Sequence, residues 1–457
     1  MIIEEKLPIP HTMADTMSRI VGKFSDSGFE CYLIGGSVRD LILGRKVYDY
    51  DFATNARPEQ VQKLFRKVIP TASKHGTVTL LKNNKSFEVT TYRADGKYID
   101  GRRPESVSFS ETLEEDVLRR DFTINGLAYD LLNGKIIDYV NGLRDIEHGI
   151  IRTIGDPVER FNEDGLRPYR ACRFASKLEF TIDEETFKAI GRTLEIARKV
   201  SVERVRDEFK KILETKRPSI AIEYLRTSGL LGIFLPELVN CHEIEQNKFH
   251  IFDVYRHSIY SCDAAPQNNL VVRLAALLHD IGKTPTRRTG NDGDYTFYNH
   301  EVISAKMTRR IMKRMRFSNE EISKVNNLVL NHMFHYTDDW TDGAVRRFMR
   351  KVGVENIEEL FILRQADRKG NGSRNGLPAP ILRLHRRIEQ VISDDNAMTV
   401  KDLDINGHVL MEELGLVPGP EIGRILNALL EMVLDDPALN RKDLLLEKAR
   451  EISGSPD

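Results

Sequence analysis

The stretch LIGGSVRDLILGRKVYDYDFAT, residues 33–54, decides the fold that we expect for the first part of the chain. It reads as a strand, a glycine turn, a short helix and a second strand that carries Asp49 and Asp51. Side chains at positions i and i+2 of a strand point to the same face, where two carboxylates repel each other. A bound cation would remove that repulsion, so the pair predicts a cation site beside the glycine turn.

The glycines and the arginine of this stretch suit a phosphate group. Gly35 and Gly36 let the backbone approach a ligand closely, and the amides at the start of the following helix can face it. Arg39 adds a forked cation for phosphate oxygens. Mg²⁺ takes oxygen ligands, which Asp49, Asp51 and a nucleotide phosphate can supply. Two such ions about 4 Å apart can activate an attacking hydroxyl and stabilise a leaving pyrophosphate, so we predict phosphoryl transfer here.

The amino-acid composition of the chain indicates which classes of protein it resembles and which it does not. The chain has 457 residues, of which 40% are hydrophobic, and it contains no apolar run of the roughly 18 to 20 residues that a membrane-spanning helix needs. The first residues lack the apolar segment of a secretory signal. The four cysteines form no CxxC pair, which argues for a reducing compartment and against a thiolate zinc site. We therefore expect a cytoplasmic protein without a membrane segment.

Hydrophobic periodicity divides the chain into regions. Strand-like runs alternate with helical stretches at the start, and helical periodicity dominates after about residue 154. We predict an α+β fold, in which a mixed sheet with helices is followed by an all-helical remainder. The expected regions are 1–154, a head with a mixed sheet; 155–240, a helical neck; 241–395, a helical region rich in His and Asp; and 396–457, a helical tail.

Ordered motifs identify a family resemblance. GGxVRD followed nine residues later by DxD is typical of the nucleotidyltransferase superfamily that includes DNA polymerase β. The motifs that follow are HGTVTL (75–80), YRADGKYIDGRRPESVSF (92–109), RRDFTINGLAYD (119–130), DYVNGLRDI (138–146) and EDGLRPYRACRF (163–174). Together they resemble the class II tRNA nucleotidyltransferases, which comprise CCA-adding enzymes and bacterial poly(A) polymerases. The resemblance implies a polymerase-β-like head that uses Mg²⁺, with CTP, ATP and the tRNA 3′ end as substrates.

The resemblance also assigns nucleotide-binding residues. Arg120, the second arginine of RRDFTIN, contacts the triphosphate in the family. Asp164 and Arg167 are assigned to the base, and Arg170 and Arg173 to the rest of the nucleotide. The chemistry agrees, because Asp accepts from an exocyclic amine and Arg donates to a ring nitrogen or carbonyl. Such a template suits C and A, which both present an amine beside an acceptor nitrogen.

Two features qualify this assignment. Pro168 stands where the family has an apolar, helix-competent residue, and proline inside a helix removes a hydrogen bond. Either the helix begins so late that Pro168 lies in its first turn, or the helix is kinked. The segment ADGKYIDGRRPESV, residues 94–107, predicts a mobile loop. Class II enzymes restricted to CC addition lack this loop, so its presence favours A addition and leaves both CCA addition and A addition alone open.

The histidines of the second half predict a metal site. The order H…HD…D, with LLHDIGK at 277–283, resembles the HD phosphohydrolase superfamily. Imidazole and carboxylate ligands suit a transition metal such as Ni²⁺, Mn²⁺, Fe²⁺ or Zn²⁺. The metal ligands implied by the resemblance are His257, His279, Asp280 and Asp367. His300 and His332 match positions that are ligands only in some members.

The leading hypothesis is a template-independent nucleotidyltransferase that adds CCA, or its terminal A, to the 3′ end of tRNA. A poly(A) polymerase and an A-adding enzyme are alternatives within the same chemistry. A metal-dependent HD phosphohydrolase, with the front half serving recognition, represents a different class. A non-enzymatic RNA-binding protein is disfavoured because Asp49, Asp51 and Arg120 are all present.

Overall fold

The computed structural model describes residues 1–72, 76–94, 98–99, 103–104, 108–246, 251–290, 293–372, 376–393 and 399–454. The chain forms two compact units, Met1–Val239 and Asn240–Asp457. In the residues described, the first unit combines a sheet with helices, and the second is helical apart from two short strands. This confirms the predicted fold class, a mixed-sheet head followed by a helical remainder.

The first unit is built on the sheet that carries Asp51. Its strands in the described residues are β1 (Ile2–Glu4), β2 (Cys31–Ile34), β3 (Asp51–Thr54), β4 (Val68–Ala72), β5 (Thr77–Lys82), β6 (Lys85–Thr91), β7 (Arg93–Ala94), β8 (Tyr98–Ile99), β9 (Arg103–Pro104), β10 (Ser108–Phe109), β11 (Leu127–Asp130), β12 (Lys135–Asp138), β13 (Ile150–Ile151) and β14 (Thr181–Ile182). Within the described ranges, eight of them form one sheet in the order β1-β12-β11-β2-β3-β6-β5-β4. Neighbours are antiparallel except β3 and β6, which are parallel.

The alternation of apolar and polar residues explains why β6 forms and which of its faces packs against the core. Phe87 and Val89 are buried, whereas Glu88 between them is exposed on the opposite face. Phe87 packs against Phe52 of β3, with the ring centroids 6.2 Å apart. Burial of such side chains stabilises the sheet by about 2 kcal/mol each. The sheet therefore has one packed face, and the parallel register places Glu88 opposite Asp51.

The second strand of the opening stretch is shorter than the sequence predicts. β3 begins at Asp51, so Asp49 lies just before the strand and not within it. The reason is that β2 ends at Ile34, where Gly35 turns the chain with φ +74°. The register pairs Leu33 with Phe52, which leaves the residues before Asp51 without a partner in β2. Asp49 is consequently exposed and Asp51 half-buried.

Helices complete the first unit. In the described residues they are α1 (His11–Asp26), α2 (Gly36–Ile42), α3 (Pro58–Leu64), α4 (Leu113–Leu118), α5 (Gly142–His148), α6 (Pro157–Glu163), α7 (Arg167–Leu178), α8 (Glu184–Arg192), α9 (Leu194–Arg198), α10 (Val202–Leu213), α11 (Pro218–Thr227), α12 (Leu231–Phe234) and α13 (Pro236–Val239). A 3₁₀ turn covers Thr123–Asn125. Pro168 is the second residue of α7, where its missing N–H is tolerated, so the first of the two predicted alternatives is the correct one.

The second unit is a stack of helices. Those described are α14 (Val254–Ala264), α15 (Leu270–Leu278), α16 (Lys283–Thr286), α17 (His300–Arg314), α18 (Asn319–Asn331), α19 (Asp342–Val352), α20 (Ile357–Gly370), α21 (Ala379–Ser393), α22 (Gly407–Leu414), α23 (Pro420–Asp435) and α24 (Lys442–Ser453), with a hairpin of β15 (Arg288–Thr289) and β16 (Tyr295–Thr296). α14, α15, α18 and α20 pack together. The last helices share a separate apolar core that includes Leu410, Leu429 and Leu445. Across the described ranges, the structure has no helix of the length and apolarity needed to cross a membrane.

Candidate active site and a buried histidine–aspartate cluster

The glycine turn lies directly against Arg120. Gly35 has a positive φ, and a Cβ built on it would stand 3.2 Å from an Nη atom of Arg120. The side chain of Asp116 holds this arginine through bonds of 3.2 and 2.9 Å to its Nε and Nη2 atoms. Asp116 is completely buried and binds Arg119 in the same way. The carboxylate of Asp116 therefore fixes the direction in which Arg120 points, beside the backbone of the turn.

A group of carboxylates stands beside Arg120. Burial, the neighbouring Glu88 and Asp49 raise the pKa of Asp51 to about 6, while Arg120 opposes the shift. Each of these carboxylates destabilises the ionised form of Asp51, so a bound cation would be favoured here. Oxygen donors of this kind fit a hard divalent ion such as Mg²⁺. Glu88 was not singled out from the sequence, although an acidic residue between two buried apolar ones in β6 is the signal that marks it.

Arg39, which the sequence predicts as a phosphate ligand, is buried and contacts other side chains of the protein. Its side chain is 2% exposed, and its Nε donates to Asp40 at 2.8 Å while an Nη contacts the side-chain oxygen of Asn125. The guanidinium also lies 5.2 Å from the ring centroid of Phe174. The contact of Arg39 with a phosphate stays a prediction. Its burial supports a role in holding α2 against the RRDFTIN segment.

The predicted base-selecting residues lie at the junction of α6 and α7. Asp164 follows α6, and its Oδ1 accepts from the backbone N–H of Leu166 at 3.0 Å. Arg204 of α10 donates to both carboxylate oxygens of Asp164, at 3.2 and 3.0 Å. Arg167 begins α7 and donates to the carbonyl of Arg119 at 3.1 Å, besides an ion pair with Glu163. These contacts bring Asp164 and Arg167 together beside the RRDFTIN segment.

The other two arginines of α7 are also paired with carboxylates. The Nε atom of Arg170 donates to Asp121 at 2.7 Å, and Arg173 forms an ion pair with Glu208 at 2.6 Å. Burial alone would raise the pKa of Asp121, but the guanidinium of Arg170 and the Asn125 amide outweigh it and lower the pKa to about 2. The structure thus connects the predicted triphosphate segment to the predicted base-selecting helix through an ion pair between the buried Asp121 and the half-buried Arg170. Asp121, Arg204 and Glu208 were not found from the sequence.

Two predicted features lie partly outside the described residues. Most of the loop 94–107 and the first residue of the HGTVTL motif fall in the gaps of the described ranges. Their predicted roles stay predictions.

The predicted metal ligands of the second unit form one buried cluster. His257 lies on α14, His279 and Asp280 follow α15, and Asp367 lies on α20. The Nε2 atom of His257 is 3.4 Å from Asp280 Oδ2, 3.2 Å from Asp367 Oδ1 and 3.1 Å from His279 Nε2. Burial opposes protonation of His257, but hydrogen bonds to Asp280 and Asp367 raise its pKa to about 9. This donor set fits a divalent metal, because a proton or a cation is needed among the carboxylates and imidazoles.

His300 and His332 belong to the same cluster. His300 begins α17 and His332 follows α18, and both face the second oxygen of Asp280. Burial lowers the pKa of His332, so its imidazole is neutral near pH 7. In the residues that the structure describes, two groups have metal-ligand geometry, one of His257, His279 and Asp280 and one of Asp280, His300 and His332.

Comparison with known proteins first defines the class. Residues 31–152 match the family model of the poly A polymerase head domain. Residues 179–241 match the model named "Probable RNA and SrmB- binding site of polymerase A", and residues 297–449 match a model of tRNA nucleotidyltransferase domain 2. The matched segments therefore place the chain in the class of poly A polymerases and tRNA nucleotidyltransferases.

Relatives and solved structures then define the family. The chain is 33% identical to the CCA-adding enzyme of Streptococcus sanguinis (strain SK36) over 91% of this chain and 92% of the relative. It is 51% identical to the CCA-adding enzyme of Lactobacillus helveticus (strain DPC 4571), over 42% of this chain and 48% of that one. The crystal structure of the Bacillus stearothermophilus CCA-adding enzyme in complex with CTP is similar with a TM-score of 0.75 and 27% identity, covering 96% of this chain and 98% of that chain. The chain belongs to the CCA-adding enzyme family of tRNA nucleotidyltransferases, whose members use a divalent metal ion, typically Mg²⁺.

Proposed function

We propose that this protein adds CCA to the 3′ end of tRNA, using CTP and ATP without a nucleic-acid template. The observation that carries the proposal is the likeness to CCA-adding enzymes over nine-tenths of both chains, together with the intact carboxylate and arginine site. The CTP complex of the similar Bacillus stearothermophilus enzyme supports CTP as a substrate. Addition of A alone and polyadenylation are less favoured by these comparisons. Action on tRNA also supports the expected cytoplasmic location.

In the proposed mechanism, Asp49 and Asp51 would hold Mg²⁺, and Glu88 would add a third carboxylate. When bound, Mg²⁺ would supply Lewis-acid activation of the tRNA 3′ hydroxyl and positive charge against the phosphates. The hydroxyl loses its proton to solvent, its oxygen bonds to the α-phosphorus of the nucleotide, and the bond from the α-phosphorus to the bridging oxygen breaks, so that pyrophosphate leaves with that oxygen. Arg120, fixed by Asp116, binds the triphosphate beside the glycine turn, and Gly36 begins the helix that faces it.

Base selection is proposed for Asp164 and Arg167. The carboxylate accepts from the exocyclic amine of C or A, and the guanidinium donates to the adjacent ring nitrogen. Arg170 and Arg173 hold the rest of the nucleotide. Arg204 supports the template, because its two hydrogen bonds to Asp164 restrain the direction of the carboxylate.

The domain boundaries remain part of the proposal. Residues 1–154 would form the catalytic head and 155–240 the neck that binds the base and RNA. Residues 241–395 would contain the histidine–aspartate cluster, and 396–457 would bind tRNA.

One assay distinguishes the related activities. Purified protein is incubated with tRNA lacking CCA, with tRNA ending in CC, or with an unstructured RNA, and with CTP, ATP or both. A CCA-adding enzyme extends the first RNA by three nucleotides and the second by one A. Extension of tRNA ending in CC alone would indicate A addition, and long tails on the unstructured RNA would indicate polyadenylation.

The proposed role of Asp51 as a metal ligand can be tested by a substitution that is compared with the same substitution at an exposed aspartate. Asp51→Asn should lower nucleotide addition by at least about 10³-fold, because it removes a ligand of the ions that stabilise the transferring phosphoryl group. Asp26→Asn, at an exposed position at the end of α1, is the control. tRNA binding, measured by filter retention, should be unchanged in both variants. Near-normal turnover of Asp51→Asn would exclude this residue from the site.

A second candidate function is a metal-dependent phosphohydrolase in the second unit. The specific observation in its favour is the convergence of His257, His279, Asp280 and Asp367 on one buried point. His279→Ala should abolish hydrolysis of 2′,3′-cyclic nucleotides and p-nitrophenyl phosphate in Mn²⁺ or Ni²⁺, and it should leave nucleotide addition intact. Hydrolysis that persists in this variant would place the activity elsewhere.

A further inference from the structure

Helix α17 carries a row of exposed cations. Lys306, Arg309 and Lys313 follow one another at spacings of three and four residues, so they share one face of the helix. All three side chains are exposed, and in the described part of the chain none of them forms an ion pair. A phosphate can approach each of them without displacing a carboxylate. This cationic row is therefore a surface suited to a polyanion.

A polar groove between α17 and α18 lies along the cationic row. It has a volume of about 500 Å³, and its lining includes Arg309 and Lys313 from α17 and Ser323 and Asn326 from α18. The side-chain oxygen of Asn326 is buried and, among the residues that the structure describes, has no hydrogen-bond partner. A ribose 2′-hydroxyl is a donor that would satisfy this oxygen. Cations beside such an acceptor favour RNA as the polyanion.

An aromatic pocket adjoins the groove. Leu330, which is 38% exposed, lines both cavities and so joins them. The pocket has a volume of about 480 Å³, within the range of small-molecule sites. Besides Leu330, its lining includes Met333, Phe334, Trp340, Phe348 and Lys351. Aromatic rings beside a cation form the kind of surface on which an unpaired nucleobase stacks.

Contacts among the rings hold the pocket in shape. The ring centroid of Phe348 lies 5.8 Å from that of Trp340 and 5.4 Å from that of Phe334. Phe348 is buried, whereas Trp340 and Phe334 are half-buried, so part of each of these two rings is open to a ligand. A pocket that is already formed spends little free energy on ordering its side chains when a base enters.

We propose that the cationic row and the aromatic pocket bind one segment of the tRNA, with phosphates at Lys306, Arg309 and Lys313 and an unpaired base against Trp340. Val302 lines the aromatic pocket four residues before Lys306, so one face of α17 leads from the pocket to the row. The helix extends about 16 Å from Val302 to Lys313, which suits a segment of RNA better than a single nucleotide. This inference rests on the proposed function, which makes tRNA the substrate, and adds an RNA surface in the region 241–395.

The single tryptophan of the chain provides a direct test, because Trp340 alone gives the indole emission. tRNA is titrated into the full-length protein, and indole fluorescence is recorded beside filter retention of labelled tRNA. We expect quenching that saturates together with binding, because a base stacked on the indole quenches its emission. A fully paired RNA duplex should bind at low salt and leave the emission unchanged, since it has no unpaired base to offer.

Two variants test the two parts of the surface. Lys306→Gln/Arg309→Gln/Lys313→Gln should flatten the slope of log affinity against log salt by about 2, so that the affinity lost between 50 and 200 mM salt becomes roughly tenfold smaller. Ala344→Phe places a ring in the aromatic pocket, which Ala344 lines, and should weaken tRNA binding about 5- to 150-fold and remove the quenching. The control removes the same charge from exposed positions of the first unit and should keep the original slope: Arg19→Gln/Lys63→Gln/Arg66→Gln.

The outcomes separate this inference from the function on which it rests. Saturating tRNA binding with unchanged Trp340 emission, or equal quenching by the paired duplex, would overturn the base pocket. A triple variant of the cationic row with the salt slope of the control would overturn the phosphate contacts. Far-UV circular dichroism reports whether each variant is folded, and the emission of the unmodified protein tests the pocket without any substitution. Nucleotide addition by the unmodified protein without quenching would overturn this inference alone, whereas absence of tRNA binding would overturn the proposed function as well.

Discussion

Replacing Asp121 with asparagine should loosen the connection between the RRDFTIN segment and α7. Asp121 is 8% exposed and accepts hydrogen bonds from the backbone N–H of Phe122 at 2.9 Å and from the side chain of Asn125 at 3.1 Å. Its other oxygen accepts from Arg170 at 2.7 Å. Asparagine can keep part of this geometry but removes the negative charge that Arg170 faces.

The lowered pKa of Asp121 gives the size of the destabilisation that we expect for Asp121→Asn. Its lowering from 3.8 to about 2 corresponds to about 2 kcal/mol of stabilisation at neutral pH. Because the pKa is lower in the folded protein, this stabilisation is fully present above about pH 4 and is lost as the pH falls towards 2. The substitution also removes the negative charge that the guanidinium of Arg170 contacts. We therefore expect Asp121→Asn to destabilise α7 by about 2–4 kcal/mol at pH 7.

Local hydrogen exchange is the appropriate measurement, because two units can unfold separately and a whole-chain transition would mix them. Amide exchange over residues 167–178 should accelerate at least about 30-fold in Asp121→Asn, which is the factor that corresponds to about 2 kcal/mol. Asp26→Asn, at an exposed site, is the matched control. At pH 3, after correction for the intrinsic rate, the difference between Asp121→Asn and the unmodified protein should shrink. Exchange at pH 7 within threefold of the unmodified protein would refute the reasoning.

Three further predictions concern specificity, the loop and packing. Asp164→Ala should reduce discrimination of CTP and ATP against UTP and GTP by roughly 10- to 100-fold, measured as ratios of kcat/KM, and unchanged ratios would contradict base selection by this residue. Shortening residues 94–104 should leave C addition largely intact and impair A addition in the tRNA assay, and equal loss of both activities would mean that the loop is structural. Gly165→Ala should lower the Tm, because a Cβ there would lie 2.5 Å from the carbonyl oxygen of Ile196, whereas Gly191→Ala, with open space around it, should not.

Local sequence patterns predicted which helices and strands form better than they predicted where each one begins and ends. The alternation in SFEVTT predicted β6 because its core contacts recur at every second residue. The start of β3 could not be read in this way, since it depends on where β2 ends and not on the residues of β3 themselves. Pro168 illustrates the same limit: its chemistry allowed either a late start of α7 or a kink, and the break at Asp164 decided between them.

The candidate site residues show the same difference between what a local pattern predicts and what depends on distant parts of the chain. The ordered motifs predict Asp51, Arg120 and Asp164 as site residues, because each of these residues belongs to a short motif that can be recognised from its own segment of chain. Their supporting partners come from distant elements: Glu88 enters through the parallel register of β3 and β6, and Arg204 reaches Asp164 from α10. Pairs of this kind form only through tertiary packing, so a local sequence pattern does not predict them.

The pairing of arginines on α7 explains how a protein could read a base without a template strand. Arg167, Arg170 and Arg173 each meet a carboxylate, and Asp164 meets an arginine, so the helix is positioned by ion pairs as well as by apolar contacts. Long charged side chains are otherwise free to change rotamer, which would blur a hydrogen-bonding pattern. Held by their partners, they keep a fixed geometry before any nucleotide arrives, as the base template proposed above requires. Under that proposal, specificity for C and A depends on the rigidity of this network as much as on the residues that contact the base, and loss of a supporting partner should relax selection even where every contacting residue remains.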